Sequence, residues 1–193
     1  MENKEFVFSA TIKGSPLSIN QYLVPVNSPG SKYPTLKESF KAKQWKKDFV
    51  KIIKIEMERQ GFDGSVTGDG IWIMEVDFIL SRKSTDQNNL WKVLCDACVM
   101  GGLLVDDKNL LVTTSYIAYS STNPQFTIRL RKSPQIGIFT DEHDLESFKN
   151  VNCSNCSKNC DKCGVMKKAI GGYITEDIVG GKCLKIKNRT SKR

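Results

Sequence analysis

The sequence predicts an α+β fold: a small mixed β-sheet with two main helices on one face, followed by a small cysteine-rich C-terminal extension. Two segments with helical spacing of apolar residues lie among four strand-like segments, in the order strand, loop, helix, strand, helix, strand, strand. Four cysteines then crowd into one short stretch after the last strand. The length of 193 residues is sufficient for one domain of ordinary size and a small appendage.

The strands are predicted from alternation and from β-branched or aromatic content. The stretch "FVFSATIKG" alternates apolar and polar residues, so we expect the first strand there. In "DGIWIMEVDFILSRK" every second residue from Trp72 to Leu80 is apolar, which is typical of a core strand. The later stretches "NLLVTTSYIAYSS" and "QFTIRLRKS" are separated only by the short connection "STNP". We therefore expect these last two strands to form a hairpin.

The two helices are predicted from apolar spacing and from glycines at their ends. A loop rich in Pro, Ser, Asn and Gly at 15–35 precedes the first helix, which Gly61 is expected to stop. Its apolar residues are Phe40, Trp45, Phe49, Ile52, Ile53 and Met57. Its lysines spread over several faces, and we interpret them as solvated surface. The second helix is expected at 88–100, with Leu90, Val93, Leu94 and Ala97 as its apolar stripe and Gly101 and Gly102 at its end.

Positive charge is concentrated near the C-terminus. Residues 1–150 hold 19 Lys or Arg and 18 Asp or Glu, a net of +1, whereas residues 151–193 hold 10 and 3, a net of +7. Such a bias favours a polyanion partner; the alternative is a basic tail that only keeps the protein soluble. Because no long apolar run and no secretory leader is evident, we expect no membrane contact and a cytoplasmic location, where thiols stay reduced.

Acidic residues gather around the second helix. Asp86 precedes it, whereas Asp106 and Asp107 follow it. About twelve helical residues carry the chain roughly 18 Å from Asp86, and the extended run 102–106 covers roughly 16 Å, so a chain that doubles back would bring these carboxylates together. Clustered carboxylates are stable when a cation joins them, and Mg²⁺ is the usual hard cation for oxygen ligands. Lys92 would then support a phosphate or the leaving oxygen. The alternative is that Asp86 caps the helix and Asp106–Asp107 form a turn.

The pattern Asp-x-x-Asn-Leu-x-Lys, then Asp-Ala, then a hydrophobic stretch ending in Asp-Asp, resembles the RusA family of Holliday-junction resolvases, which phages and prophages often encode. The matching residues are Asp86, Asn89, Leu90, Lys92, Asp96, Ala97, Asp106 and Asp107. The opening "FSATIKGSPLS" is also similar to the family's first strand and Gly-x-Pro turn, and the likeness covers about 6–132. The resemblance implies a homodimeric α+β nuclease of bacterial, phage or prophage origin. Such enzymes use Mg²⁺ to cut two opposed strands of a four-way DNA junction.

The same resemblance implies a role for each matching residue. Asp86 and Asp107 would be Mg²⁺ ligands, Lys92 a catalytic lysine, and Asp106 would lie beside them. The family usually has a second Asp two residues after the first, and here that position is Asn88. An amide oxygen still ligates a hard cation, but one negative charge is lost. Tolerated variation, a relative that binds DNA without cutting it, and an engineered substitution all remain open.

The C-terminal cysteines have metal-ligand spacing. Cys153, Cys156, Cys160 and Cys163 form C-x₂-C-x₃-C-x₂-C, and each C-x₂-C is a common metal knuckle. We expect Zn²⁺; an iron–sulfur cluster, unmetallated thiols, and Cys183 as a replacement ligand are the alternatives. Cys95 and Cys98 have similar spacing, but they lie in the second helix, where we expect buried free thiols.

Three functions from different classes follow. The first is a Mg²⁺-dependent endonuclease that resolves branched DNA, the second a junction-binding protein with weak or absent catalysis, and the third a zinc-stabilised interaction module in recombination or phage replication. We expect an endonuclease domain at 1–135, a linker at 136–150 and a basic zinc-binding extension at 151–193. The residues expected to contact the DNA backbone are Lys83, Lys185, Lys187 and Arg189.

Overall fold

The computed structural model describes residues 6–27, 30, 32–158 and 160–187 and divides the chain into two compact units, Met1–Lys132 and Ser133–Arg193. The strands of the first unit are β1 (Phe8–Lys13), β2 (Leu23–Val26), β3 (Thr35–Glu38), β4 (Trp72–Leu80), β5 (Leu110–Tyr119) and β6 (Gln125–Lys132). Its helices are α1 (Phe40–Gln60) and α2 (Asn88–Gly101). The predicted α+β class is therefore confirmed.

The main sheet is mixed, with the strand order β1-β6-β4-β5. Strand β4 runs parallel to β5 and antiparallel to β6. The predicted β5–β6 hairpin is therefore wrong, because β4 lies between these two strands. The reason is the helical crossover: α2 returns the chain so that β5 pairs in parallel with one edge of β4, which leaves the other edge for β6.

Both main helices pack on one face of the sheet, as predicted. The alternate residues of β4 that face them are all at most 5% exposed: Trp72, Met74, Val76, Phe78 and Leu80. Helix α1 adds Phe49 and Ile53 to this core, and α2 adds Leu90 and Leu94. Hydrophobic burial on this face fixes the position of α2 against β4, and the candidate site depends on that position.

The opposite face of the sheet carries paired charges. Arg129 on β6 donates two hydrogen bonds of 2.7 Å to Asp77 on β4, a bidentate arrangement. Arg131 lies 3.4 Å from Glu75, which also accepts a hydrogen bond from Ser115. These acids are thus held by arginines on a neighbouring strand, and they form no part of the acidic group around α2.

Helix α1 begins at Phe40, the first apolar residue of its predicted stripe. Thr35–Glu38 form β3, which pairs with β2, so part of the predicted long loop is a small hairpin. Ser39 caps the helix by accepting a hydrogen bond from the backbone N–H of Ala42. Gly61 ends it in the left-handed conformation, at φ 63°, as its position predicts.

The second unit contains two helices and a small hairpin. These are α3 (Glu142–Asn152), α4 (Gly164–Ile170), β7 (Ile178–Val179) and β8 (Lys182–Cys183). The linker predicted at 136–150 instead belongs to this unit, because Phe139, Leu145 and Phe148 pack in its core. In the basic stretch that follows Gly180, Lys182–Cys183 form β8, and the carbonyl oxygen of Lys187 accepts a hydrogen bond from the backbone N–H of Ser157. Among the described helices, none combines the length and the apolar content that a membrane crossing requires.

Candidate functional site

Asp86 lies at the start of α2 and is exposed. Its carboxylate accepts hydrogen bonds from the backbone N–H of Asn88, at 2.9 Å, and from the side-chain amide of Asn89, at 3.1 Å. The first of these bonds satisfies a backbone N–H of the first helical turn that has no acceptor within the helix, so Asp86 helps to cap the start of α2. The carboxylate and the exposed Asn88 therefore share one end of α2.

The segment after α2 returns to the side of the helix at Lys92 and Asp96. Gly102 adopts φ 78° and its N–H bonds to the carbonyl oxygens of Cys98 and Val99, which ends the helix. Leu103 and Leu104 are buried in the core and hold the returning chain against the sheet. Asp107 then comes within 4.0 Å of Lys92. Lys92 also pairs with Asp96, one turn further along, so Asp107 approaches the middle of α2, on the side where Asp96 lies.

Lys92 lies between two carboxylates that the sequence places far apart. Its ammonium nitrogen is 2.8 Å from Oδ1 of Asp96 and 4.0 Å from Oδ2 of Asp107. The hydrogen bond to Asp96 raises the pKa of Lys92 above its usual value, and the charges of Asp96 and Asp107 add to this. Lys92 therefore stays positively charged at neutral pH, with more than half of its side chain open to solvent.

Asp106 is tied mainly into its own turn. Oδ1 accepts a hydrogen bond of 3.0 Å from the backbone N–H of Lys108, and the Lys108 ammonium lies 3.4 Å from Oδ2. The backbone bond from Lys108 lowers the pKa of Asp106. Asp96, Asp106 and Asp107 nevertheless line one open cleft of about 470 Å³. Val99, Met100 and Val105 supply its apolar part.

The predicted ligands supply oxygen atoms but are not grouped as a ready metal site. Within residues 6–27, 30, 32–158 and 160–187, no three His, Cys, Asp or Glu side chains are arranged to hold a metal ion. The predicted Mg²⁺ set contains only two such residues, Asp86 and Asp107, with the amide of Asn88 between them in sequence. These are hard donors, so the chemistry of the set suits Mg²⁺.

A partly buried network behind Asp96 was missed by the sequence analysis. Tyr22 donates a hydrogen bond of 3.1 Å to Oδ2 of Asp96 and accepts one of 3.2 Å from Lys46. Lys46 also lies 2.8 Å from Oε1 of Glu38 and is only 9% exposed. A continuous polar chain therefore runs from Glu38 to the Lys92 end of the site.

The interpretation of the α1 lysines as solvated surface is wrong for Lys46. It falls on the buried stripe of α1 with Ala42, Phe49 and Ile53, and this i, i+4, i+7 spacing is the signal that identifies it. Burial alone lowers the pKa of Lys46, but Glu38 and Tyr22 together raise it above its usual value. Lys46 is thus an internal cation.

We expect Lys46→Met to destabilise the protein by about 1–2 kcal/mol, because Glu38 loses its ionic partner in a half-buried setting. Urea unfolding followed by fluorescence measures this change. The matched control is Lys47→Met, since Lys47 is the exposed neighbour on the same helix and should change stability by about 0.5 kcal/mol or less. Equal effects of the two variants would contradict an internal role for Lys46.

The returning chain is also held from the side of the 3₁₀ turn Gly64–Gly68. Thr67 accepts a hydrogen bond of 2.9 Å from the backbone N–H of Val105 and donates one of 2.7 Å to the carbonyl of Gly64. A Cβ atom at Gly64 would clash with the carbonyl oxygen of Gly102. The path of the chain from α2 to Asp107 therefore depends on a close contact between the backbone at Gly64 and the backbone at Gly102.

We expect Gly64→Ala to cost about 1–3 kcal/mol of stability, because the clash is with backbone that must shift as a unit. Denaturant midpoints measure this loss. Gly68→Ala is the control in the same turn, since its Cβ would meet Val105 at 3.5 Å, an ordinary contact distance. If both alanines are tolerated equally, the backbone contact does not constrain the turn.

The expected DNA contacts have different surroundings. Lys83 is exposed in the segment between β4 and α2. Lys185 lies 2.8 Å from Asp177, and the hydrogen bond that Lys185 donates to this aspartate raises the pKa of Lys185. Lys187 is exposed, and its carbonyl oxygen accepts a hydrogen bond from Ser157. Arg189 lies outside the described residues.

Five cysteines line one small cavity of about 20 Å³ in the second unit: Cys153, Cys156, Cys160, Cys163 and Cys183. The sulfurs of Cys153 and Cys160 are 3.0 Å apart. Burial raises the pKa of Cys153 to about 12, and the neighbouring Cys160, Cys163 and Cys156 contribute to the increase. The four-cysteine motif and Cys183 thus line one cavity, although no three of these described side chains are grouped to hold a metal ion as they stand.

The other two cysteines are buried thiols in α2, as predicted. Cys98 is fully buried and Cys95 is 7% exposed. Burial raises the pKa of Cys95 to about 11, and Asp107 and Asp96 raise it further. Both thiols are therefore protonated at neutral pH and serve as small apolar core residues.

Neither the models of known protein families nor the curated proteins contain a match for this chain. Its function is therefore inferred from its own residues and their geometry.

Proposed function

We propose that this protein is a Mg²⁺-dependent, structure-selective endodeoxyribonuclease that resolves four-way junctions and related branched DNA. The observation that carries the proposal is the 4.0 Å approach of Asp107 to Lys92, on the helix that starts beside Asp86 and Asn88. The RusA-like sequence pattern requires that these residues meet around one helix. An exposed lysine between carboxylates is suited to a phosphate group that carries developing charge.

Asp86, Asn88 and Asp107 would hold the Mg²⁺ ion. When bound, Mg²⁺ would lower the pKa of a coordinated water and stabilise negative charge on the phosphodiester. Because Asn88 stands where the RusA family usually has an aspartate, this ligand set has one negative charge fewer than the family pattern. We therefore expect weaker metal binding than three carboxylates would give.

Lys92 would neutralise the scissile phosphate or the leaving oxygen. For this, its ammonium would exchange the hydrogen bond to Asp96 for one to DNA, while Asp107 keeps it close to the site. Tyr22 holds the other oxygen of Asp96 and so limits the movement of that carboxylate. Lys46 supports Tyr22 in turn.

Two active sites are needed to cut two opposed strands, so we propose a homodimer. Strand β5 forms one edge of the sheet and exposes several large apolar side chains: Leu111, Val112, Tyr116, Ile117 and Tyr119. An open edge of this kind is a common place for pairing between chains. Light scattering should give about twice the mass of one chain. A monomer at the concentration that supports cleavage would contradict the dimer.

Asn88 also favours a second candidate function, a junction-binding protein with weakened catalysis. We expect Asn88→Asp to increase Mg²⁺-dependent junction cleavage about tenfold, because a third carboxylate strengthens metal binding. Cleavage rates at several Mg²⁺ concentrations measure the change, and the gain should shrink as Mg²⁺ approaches saturation. Unchanged or lower activity would remove the account of this position.

A synthetic four-way junction separates the three candidate functions. Paired cleavage in Mg²⁺ that stops in EDTA supports the nuclease. Tight binding in both conditions without cutting supports the binding protein. If the protein neither binds nor cuts the junction, the interaction module is the remaining candidate, and the basic stretch at 151–193 would then bind another partner. A linear duplex of the same sequence is the control for structure selectivity.

A further inference from the structure

We propose that the second unit holds one structural Zn²⁺ ion, ligated by Cys153, Cys156, Cys160 and Cys163, with Cys183 beside the site but outside the ligand set. The inference is independent of the proposed nuclease activity. It assigns a role to a cavity that five cysteines line.

The elements of the unit bring the two halves of the motif together. Cys153 follows the last turn of α3, and Cys163 is the residue that precedes α4. The backbone N–H of Cys156 bonds to the carbonyl of Cys153, and that of Cys163 bonds to the carbonyl of Cys160. Each C-x₂-C therefore forms a tight turn whose two side chains line the same cavity, as in a metal knuckle.

The sulfurs must rearrange to bind the ion, because no three of the described cysteine side chains stand close enough together to hold a metal ion. Zn–S bonds of about 2.3 Å in a tetrahedron separate the sulfurs by about 3.8 Å. The sulfurs of Cys153 and Cys160 are 3.0 Å apart, so they must separate by about 0.8 Å, which rotation of the two side chains provides. A 3.0 Å separation is also longer than the roughly 2.05 Å of a disulfide. Each of the four thiols would release its proton to solvent and donate a lone pair to Zn²⁺.

The surroundings suit the charge of this site. Zn²⁺ with four thiolates carries a net charge of −2, which costs free energy in a partly buried place unless cations are near. Lys158 lines the cavity and supplies positive charge, and Lys185 also lines it while paired with Asp177 at 2.8 Å.

Cys183 is positioned without any metal. The buried side chain of Asn152 accepts a hydrogen bond of 2.9 Å from the backbone N–H of Cys183 and donates one of 3.0 Å to the carbonyl of Gly181. Asn152 thus attaches the β7–β8 hairpin to α3 directly. Cys183 stands outside the C-x₂-C pairs, and we infer that it packs beside the ion.

A bound metal would also compensate for the small hydrophobic core of the second unit. Its buried apolar cluster consists of Phe139, Leu145, Phe148, Met166 and Ala169. Units of about 60 residues with so small a core commonly need a metal or disulfides for stability. The described cysteines are all thiols, which leaves the metal as the cross-link.

Elemental analysis of the full chain, purified without added metal, tests the proposal. We expect about one zinc per chain in the native protein and in Cys183→Ser, and none in the double variant Cys160→Ser/Cys163→Ser. The double variant leaves only three of the five thiols, so Cys183 cannot complete a set of four. Zinc retained by the double variant, zinc lost from Cys183→Ser, iron in place of zinc, or a metal-free native protein would each overturn the proposal.

Thiol labelling of the native protein keeps the test decisive if the double variant fails to fold. In the native state we expect alkylation at Cys183 but not at the four ligands, and alkylation at all five after a chelator removes the metal. Equal labelling of the five thiols before chelation would overturn the ligand assignment. Co²⁺ substitution should give the visible bands of a tetrahedral thiolate site, and octahedral bands would contradict it.

Discussion

Asp107→Asn should reduce Mg²⁺-dependent cleavage of a four-way junction by about 100-fold or more. Asp107 supplies one of only two carboxylates in the proposed ligand set, and its replacement leaves two amides and Asp86 to hold the ion. The fold should be retained, because the side chain of Asp107 is 40% exposed and asparagine has nearly the same shape. Single-turnover cleavage rates measure the loss.

Two controls separate loss of metal binding from a general loss of charge. Asp48→Asn removes an exposed carboxylate on α1, where Asp48 accepts a hydrogen bond from Gln44 and lies within 3.7 Å of Lys51. It should cleave at the native rate. Junction binding by Asp107→Asn in a calcium buffer should stay within a few-fold of native. If Asp107→Asn cuts at the native rate, Asp107 is not a ligand.

Lys92→Gln should lower the cleavage rate by about 100-fold or more, since loss of one charged group that stabilises the transition state has an effect of this order. The raised pKa of Lys92 keeps its ammonium charged well above neutral pH. The native rate should therefore show no fall between pH 7 and pH 9 that is due to this residue. A pH series of native and variant rates measures both effects.

Lys92→Arg distinguishes the catalytic role from a structural one. Arginine keeps the positive charge and the pairing with Asp96, so this variant should recover part of the activity that Lys92→Gln loses. Both variants should change the stability of the fold by about 0.5 kcal/mol or less, because the ion pair is largely exposed. Parallel losses of stability and activity in both variants would assign Lys92 a structural role instead.

Local patterns predicted the elements that build the site. The alternation in Trp72–Leu80 is strong because one face of β4 packs against both helices, and α2 follows from its apolar stripe and its glycine end. That the chain is long enough to return to α2 followed from chain length alone. The level at which Asp107 meets the helix did not, because it depends on the contact of Val105 with Thr67, far away in sequence.

Non-local pairing is the part that the sequence did not predict. A short connection between two strands usually indicates a hairpin. Here the crossover through α2 instead places β5 parallel to β4, along one edge of that strand. Tyr22 lies in a stretch without clear periodicity, so no local signal linked it to Asp96. In contrast, α3 was detectable, since Asp141 is a helix cap and Leu145 and Phe148 follow at helical spacing.

The central claim is that Asp86, Asn88 and Asp107 hold one divalent ion, and its most direct test is to map the ion on the chain. Fe²⁺ replaces Mg²⁺, and ascorbate with peroxide then generates hydroxyl radicals that cut the nearby backbone. We predict cuts both around 86–88 and around 105–108, suppressed together by excess Mg²⁺. Cuts confined to one of these stretches, or cuts there that Mg²⁺ does not suppress, would contradict a shared ion.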